Sequence, residues 1–561
     1  MPIVSLMKKK SMGRSYGLNR FARYLLGLVL VGGLSLVPLP AQSFWMIEVG
    51  DPLLEEYQGL FQEAGETVLS LTPSFSTEEL RQALQGLSTE GRSDAWLRRY
   101  DRLMAALEKP LLYQEGSFGF SMRPEVAVEL QGRSNGNLPW IKKESESPAA
   151  LTVPLEFFFA HRLYARGDLI LRSDPSFYEN EGAPWYTNLP LDIQKWDMNM
   201  PLRAYVAAGD SWWNLQLGRD RLSWGNGQTG NLAISDSPDY YDFVRFSLFS
   251  TNFKYSFLIT QLPLSLQGTL YPGAVPSGAL EETTQRYLYL HRWDFRLWKR
   301  LSIGITEGVL VGNSALELRF LNPLSIFHSL FSWRDYEKWN GTGDLNGSIV
   351  SLDFEWNLGR GLVLYGQGVM NQYTTPYEAE HWPDEVSPNG FGWLGGLSYV
   401  RNIQSWQGRF FIEGVYTDPY LYMLSSPFAS FVWMRRLSEL TTKELRYRWI
   451  GYERGRDVVV GAIGGHFKKD PLSVALQALV ESRGEHGLTW DWQEGRAACK
   501  EQSPSGVAQN SLVFSGQVEW QAAPRLSIGL FGAVQQIFSF NHEEGNNQWG
   551  IEGALTLRYG W

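Results

Sequence analysis

The amino-acid sequence predicts an all-β fold, a closed antiparallel transmembrane β-barrel of about eighteen strands behind a small N-terminal helical bundle. Three observations predict it. Apolar and polar residues alternate with period two over many stretches long enough to cross a bilayer at a tilt. Aromatic residues and glycine are abundant, with 23 Trp, 26 Tyr, 30 Phe and 56 Gly in 561 residues, yet mean hydropathy is only -0.24. Beyond the N-terminus no uninterrupted apolar run reaches the roughly 20 residues that a membrane helix needs. A barrel reconciles the three, because only alternate residues meet lipid. Composition alone fits a large secreted β-sandwich or propeller equally well; the length of the strands separates them.

The first element is a targeting segment. Lys8, Lys9, Lys10, Arg14, Arg20 and Arg23 precede "YLLGLVLVGGLSLVPLPA", residues 24–41. A basic region followed by a short apolar core reads as a secretory signal peptide over 1–41. The competing reading is a single inner-membrane anchor, against which Pro38, Pro40 and the small residues argue. The one cysteine, Cys499, permits no intramolecular disulfide. Without residues 1–41 the chain carries 44 basic and 59 acidic side chains, which argues against nucleic acid as a partner.

Residues 42–110 are expected to form a periplasmic helical segment. Ser76 with Glu79 three places on is a capping-box pattern, and Leu80, Leu84 and Leu87 share a face. Ser93 caps a second helix whose Trp96, Tyr100, Leu103 and Leu107 follow helical spacing, ended by Pro110. A third helix is expected around Leu53 to Ala64. Short amphipathic helices need a partner surface, so a supporting or plugging role is the plain expectation.

From Gly116 the period changes to two, opening a barrel over 111–561. Phe118, Phe120, Met122, Val126, Val128 and Leu130 occupy one register, and Ser117, Ser121, Arg123, Glu125 and Glu129 the other. In 286–297, Tyr287, Tyr289, His291, Trp293 and Phe295 face one way and Arg286, Arg292, Asp294 and Arg296 the other. Further strands are expected near 152–166, 201–209, 211–219, 242–250, 252–262, 301–311, 347–357, 361–372, 391–402 and 407–418. They continue near 444–452, 456–466, 472–481, 510–520, 524–539 and 548–561, with Gly, Asn, Asp and Pro clustered between. Closure removes sheet edges and satisfies the backbone in lipid. One parity fails: Glu307 shares the outward register of Leu301, Ile303 and Ile305. A bulge, or a height beyond the hydrocarbon, would resolve it. The last strand alternates to Trp561, an interfacial aromatic similar to the C-terminal signal read by the barrel assembly machinery.

The segment richest in chemistry is "LGRDRLSWGNGQTGNLAIS", residues 217–235. Arg219, Asp220, Arg221, Trp224 and Asn226 crowd among glycines that allow tight turns and close approach. Guanidinium forks, a carboxylate acceptor and a Trp face suit a polyhydroxylated ligand. An internal Arg–Asp network that packs a loop into the barrel would use the same residues. Arg292, Asp294 and Trp333 complete the set of candidate ligand-binding residues.

At these residues the sequence resembles the Wzi-type capsule assembly family. The resemblance rests on residues 217–235, on "YLYLHRWDFRLWKRLSIGITEGVLVG" at 287–312 and on "ELRFLNPLSIF" at 317–327. It implies an eighteen-stranded bacterial outer-membrane barrel with a periplasmic helical bundle, holding capsular or exopolysaccharide at the cell surface. The family motif has Pro within one or two places of the Trp-Gly pair, where this chain has Trp224-Gly225-Asn226-Gly227. The expected partners are surface polysaccharide, outer-membrane lipid and lipopolysaccharide, in a monomeric barrel.

No catalytic role is expected. His161, His291, His328, His381, His466, His486 and His542 are scattered, without metal-ligand spacing, so neither a metal nor a cofactor is expected. "SWGNG" lacks the order of a nucleophile elbow. No carboxylate pair stands out for glycoside hydrolysis. The functional alternative is a porin or substrate-selective channel, and the state of the lumen discriminates: helices and loops that fill it favour binding, an open polar bore favours transport.

Overall fold

The computed structural model describes residues 44–160, 162–175, 178, 182–191, 196–198, 201–264, 285–312, 316–322, 324–327, 346–382, 388–403, 406–423, 429–437, 445–488 and 501–561. The expected signal peptide, Cys499 and Trp333 lie outside them.

Three helices come first: α1 (Pro52–Ala64), α2 (Thr77–Gln85) and α3 (Asp94–Ala106). Asp51, Ser76 and Ser93 cap them, each accepting from a backbone N–H of the first turn. Gly65, at φ 80°, ends α1 in the left-handed region. Ser76 caps α2 as its sequence predicts, but Glu79 does not return to the cap. Its carboxylate reaches Lys254 on the barrel wall at 2.7 Å, and both groups are buried.

Eighteen antiparallel strands form the barrel. The first half comprises β1 (Glu125–Arg133), β2 (Leu151–Phe159), β3 (Leu163–Leu171), β4 (Ala204–Asp210), β5 (Trp213–Asp220), β6 (Tyr241–Phe249), β7 (Phe253–Gln261), β8 (Arg286–Leu297) and β9 (Leu301–Gly312). The second comprises β10 (Asn346–Gly359), β11 (Leu362–Gln372), β12 (Gly390–Ile403), β13 (Trp406–Thr417), β14 (Val458–Lys469), β15 (Leu472–Arg483), β16 (Gln509–Ala523), β17 (Leu526–Phe538) and β18 (Gln548–Gly560). Neighbours in sequence are neighbours in the sheet, and β18 closes on β1 from Glu552↔Arg133 to Gly560↔Glu125. The Trp561 N–H donates to the Pro124 carbonyl at that seam.

The stretch from Gly116 to Gln131 breaks at Arg123 and Pro124 into Phe118–Met122, which pairs with β2, and β1. Two further strand assignments change. The stretch 152–166 is not one strand, because the chain turns after Phe159, with Ala160 at φ 48°, and returns as β3. The stretch 444–452 is not in the wall: Leu445–Trp449 pairs with Val432–Arg436 in a separate two-stranded hairpin. The two differences offset each other in the strand count.

The outward register presents an exposed apolar belt, including Leu130, Leu217, Trp393, Ile412, Ile463, Leu476, Phe514, Leu530 and Trp549. This is a surface suited to hydrocarbon rather than water. Short turns, such as those at 297–301, 359–362 and 469–472, join strands at one end, and long loops join them at the other.

The lumen is filled from both ends along one side. At the short-turn end, α1–α3 pack against Phe158, Tyr164, Tyr205 and Ala207 of the wall. Residues 67–75 then climb inside. Ser302 Oγ donates to Thr67 Oγ1, Ser70 Oγ donates to Asp294 Oδ2, and Arg245 Nη1 donates to the Ser74 carbonyl. From the long-loop end, residues 222–241 and the inner hairpin descend into a core containing Leu222, Trp224, Ile234, Tyr422, Trp433 and Trp449. The two plugs meet where the Gly225 N–H donates to the Leu71 carbonyl at 2.8 Å. Gly225 has φ 130°, and a Cβ there would lie 2.3 Å from Asn231 Oδ1, so this contact needs glycine.

Candidate ligand site

The predicted residues are brought together, but mostly as a frame. Arg219, Asp220 and Arg221 are consecutive and go three ways. Arg219 forms a bidentate pair with Asp242 (2.7 and 2.8 Å) and stacks 3.8 Å from the Tyr240 ring centre. Asp220 turns inward, is buried, and accepts from Arg203 Nε at 2.7 Å. Arg221 pairs with Asp236 at 3.1 Å.

Trp224 is 1% exposed, inside the core where the loops meet. Its N–H donates to the Ile234 carbonyl, and its carbonyl accepts from Gln367 Nε2. The expected sugar-stacking face is therefore covered by protein. Asn226 donates to Glu355 at 3.1 Å. Arg292 is fully buried between Asp294 and Asp353, with Thr306 as a further acceptor. Gly304 makes room for it, since a Cβ there would sit 1.9 Å from the guanidinium. The charged groups satisfy one another, so the internal Arg–carboxylate network accounts for them.

What the frame leaves empty lies on the opposite side of the lumen. A cavity of about 700 Å³ runs between the packed loops and the inner face of β13–β17. Its wall is built by strand parity. Gln477 on β15, Gln509, Ser511, Ser515 and Gln517 on β16 and Gln535 on β17 all point inward. Amides and hydroxyls both donate and accept, as a ring of sugar hydroxyls requires. Phe531 and Trp140 supply aromatic surface on either side. Its volume falls in the range of ordinary ligand pockets.

Most charges in this cavity are paired, while Arg409 donates to the neutral Gln62 Oε1 at 3.1 Å. Glu481 bonds Arg454 and also Arg483, the latter at 2.8 Å. Lys143 meets Glu453 at 2.5 Å. At the short-turn end His466 bridges Glu55 of α1 (2.6 Å) and Ser473 (2.7 Å). The cavity floor is Gln228 and Thr229, held by Glu413. That carboxylate accepts from both backbone N–H groups (2.7 and 2.8 Å), from the Thr229 hydroxyl (2.6 Å) and from the Tyr365 hydroxyl (2.9 Å).

Apart from the 217–235 loop, sequence reasoning did not single out the cavity residues. A signal was present: the inward register of β16 reads Gln509, Ser511, Val513, Ser515, Gln517, without a charge until Glu519. Among the described residues no group of His, Cys, Asp or Glu has the arrangement of a metal centre.

Comparison with known proteins places the geometry in context. The model of the family "Capsule assembly protein Wzi" matches residues 114–548. A solved structure of Wzi from Escherichia coli is described as a carbohydrate-binding outer-membrane β-barrel involved in group 1 capsule assembly. It aligns with 91% of this chain and 98% of its own at 13% identity and a TM-score of 0.55. OccK3 of Pseudomonas aeruginosa aligns with 79% of this chain and 95% of its own at 9% identity, with a TM-score of 0.38. OprD of the same organism gives the same four figures. No curated protein sequence matches the chain.

Proposed function

This chain belongs to the Wzi capsule assembly family, and from that premise we propose that it is an outer-membrane barrel that binds surface polysaccharide and assists its attachment. The carrying observation is the uncharged amide and hydroxyl wall of the cavity along β15–β17, faced by Phe531 and Trp140. An internal space of that size takes a short stretch of a glycan chain, not a bulk polymer. Most of its charged groups are spent on one another, so hydroxyl recognition falls mainly to Gln and Ser. The role is binding, not catalysis.

The candidate residues of the 217–235 loop act through the floor they fix. Arg219, Asp220, Arg221, Trp224 and Asn226 set the path of the chain that presents Gln228 and Thr229. Arg292 and Asp294 anchor the climbing segment 67–75 from below. Trp333, outside the described residues, is proposed to meet glycan as well. The short-turn end, with α1–α3, faces the periplasm, as the turns of such barrels do. The barrel works as a monomer inserted by the barrel assembly machinery. Filling of the bore from both ends supports attachment over free diffusion.

The test replaces Gln477, Gln517 and Gln535 together by Ala and titrates purified protein with oligosaccharides cut from the producing cell's surface polysaccharide. Binding should weaken at least tenfold while heat-modifiable gel migration stays that of a folded barrel. Equal affinity of the two proteins would remove the cavity as the site.

A further inference from the structure

Glu307 occupies an outward position on β9, directly opposite the outward His291 on β8. The ladders to β8 and β10 run through it without a register shift, so no bulge turns it inward. Yet His291 is 0% and Glu307 8% exposed. They bond each other at 2.7 Å and are covered from outside the barrel by residues 316–322 and 324–327. Phe327 stacks on the His291 ring at 4.1 Å and donates its N–H to Glu307 Oε2 at 3.1 Å. Phe320 packs 5.1 Å from Tyr289, whose hydroxyl accepts from the Glu317 N–H at 3.0 Å. A flap of chain therefore lies over the outer wall and seals a polar pair that lipid would otherwise meet.

The other face of this flap is apolar. Leu316, Leu318, Leu324 and Ile326 are 47%, 76%, 90% and 62% exposed. The charged pair among its described residues, Glu317 and Arg319, is bonded at 2.6 Å. His291 lies five residues below Arg286, the long-loop end of β8. At about 3.3 Å per residue and a tilt near 40°, the flap reaches roughly 12 Å down an apolar belt about 25 Å tall. Its aliphatic face continues the exposed belt of the wall, so the surface already solvated by hydrocarbon extends over it.

We propose that residues 316–322 and 324–327 are a lipid-docking flap whose Leu318, Leu324 and Ile326 receive the acyl chains of outer-leaflet lipopolysaccharide. The proposal rests on the outer-membrane reading above, with the long loops facing outward. A single cysteine is placed at Leu324, in a Cys499→Ser background, and labelled with a bimane fluorophore. Leu530→Cys on the bare wall and Glu544→Cys in a loop serve as references. Each protein is reconstituted in phosphatidylcholine vesicles with brominated acyl chains, with and without lipopolysaccharide. Quenching at Leu324 should match that at Leu530 and exceed that at Glu544 at least threefold. Added lipopolysaccharide should relieve it more at Leu324 than at Leu530. Quenching at Leu530 but not at Leu324 would overturn the flap alone, and quenching at neither would overturn the membrane reading. Equal relief at both positions would overturn the choice of lipid. Disulfide-linked dimers of unlabelled Leu324→Cys protein would assign the face to a second copy and overturn the proposal.

Discussion

Replacing Glu413 by Ala tests whether the loop at 226–231 is a built floor or a passive filling. The wild-type carboxylate is buried and accepts four hydrogen bonds, two of them from the backbone N–H groups of Gln228 and Thr229. Bonds to a charged group contribute about 1.5–3 kcal/mol each and are not additive. The Thr229 hydroxyl keeps a second neighbour, the Tyr452 hydroxyl at 3.1 Å, and the adjoining cavity lets water reach the vacated donors. A net loss of about 3 kcal/mol in the opening free energy of the loop follows, about a hundredfold in the opening equilibrium. The assay is amide hydrogen exchange by mass spectrometry, in detergent, on peptides covering 224–235, with peptides of β16 and β17 as internal reference. Exchange at Gln228 and Thr229 should accelerate about a hundredfold while the reference strands stay protected. Glycan affinity should fall with it. Protection unchanged within a factor of three would refute the idea that Glu413 holds the floor.

Trp224→Ala should cost about 3–5 kcal/mol, because a large side chain leaves a packed core; the heat-modifiable gel band should melt at lower temperature, and any loss of glycan binding should accompany that shift. Arg292→Met strands two buried carboxylates, Asp294 and Asp353, and should destabilise the barrel by about 3–5 kcal/mol in urea unfolding. At the long-loop end, Asp197 and Asp239 sit among Arg172, Arg435 and Arg446. Burial raises both carboxyls, but the guanidinium groups more than offset this and hold them below the ordinary carboxylate range. A depressed folded-state pKa stabilises fully above about pH 4 and is lost as pH falls through the depressed values. Fluorescence of Trp433 and Trp449 in the inner hairpin should therefore be steady from pH 7 to about 4 and change below it.

The barrel was legible because its signal is local: parity along a strand reports its two environments. Turn chemistry is local too, and where it was missing the reading slipped. "FFFAHRLYARG" at 157–167 has no Gly, Pro, Asn or Asp before the reversal at Ala160, so β2 and β3 merged into one. The inner hairpin deceived for the opposite reason. Inside a filled lumen Leu445–Trp449 also alternates between two environments, and nothing local distinguishes a hairpin in the bore from a strand in the wall.

The candidate site was partly illegible for a non-local reason. Trp224 among glycines and arginines has the local character of a sugar platform, and much of the core that encloses it comes from 140 to 230 residues further on. Gln367, Tyr422, Trp449 and Tyr452 arrive from β11, from the long loop after β13 and from the inner hairpin. Glu307 makes the same point on the outside, since its partners at 317–327 come from the next loop and not from its own strand. Parity therefore names the face a side chain leaves by, and only the packing of later segments decides whether that face meets lipid, ligand or protein. On this ground the inward Gln and Ser of β15–β17 are better candidates than Trp224: they point into the lumen by parity, and a cavity stands where they point. The Gln triple variant and Trp224→Ala separate the two directly. Loss of glycan affinity at unchanged stability belongs to a binding wall, and loss of both together belongs to a frame.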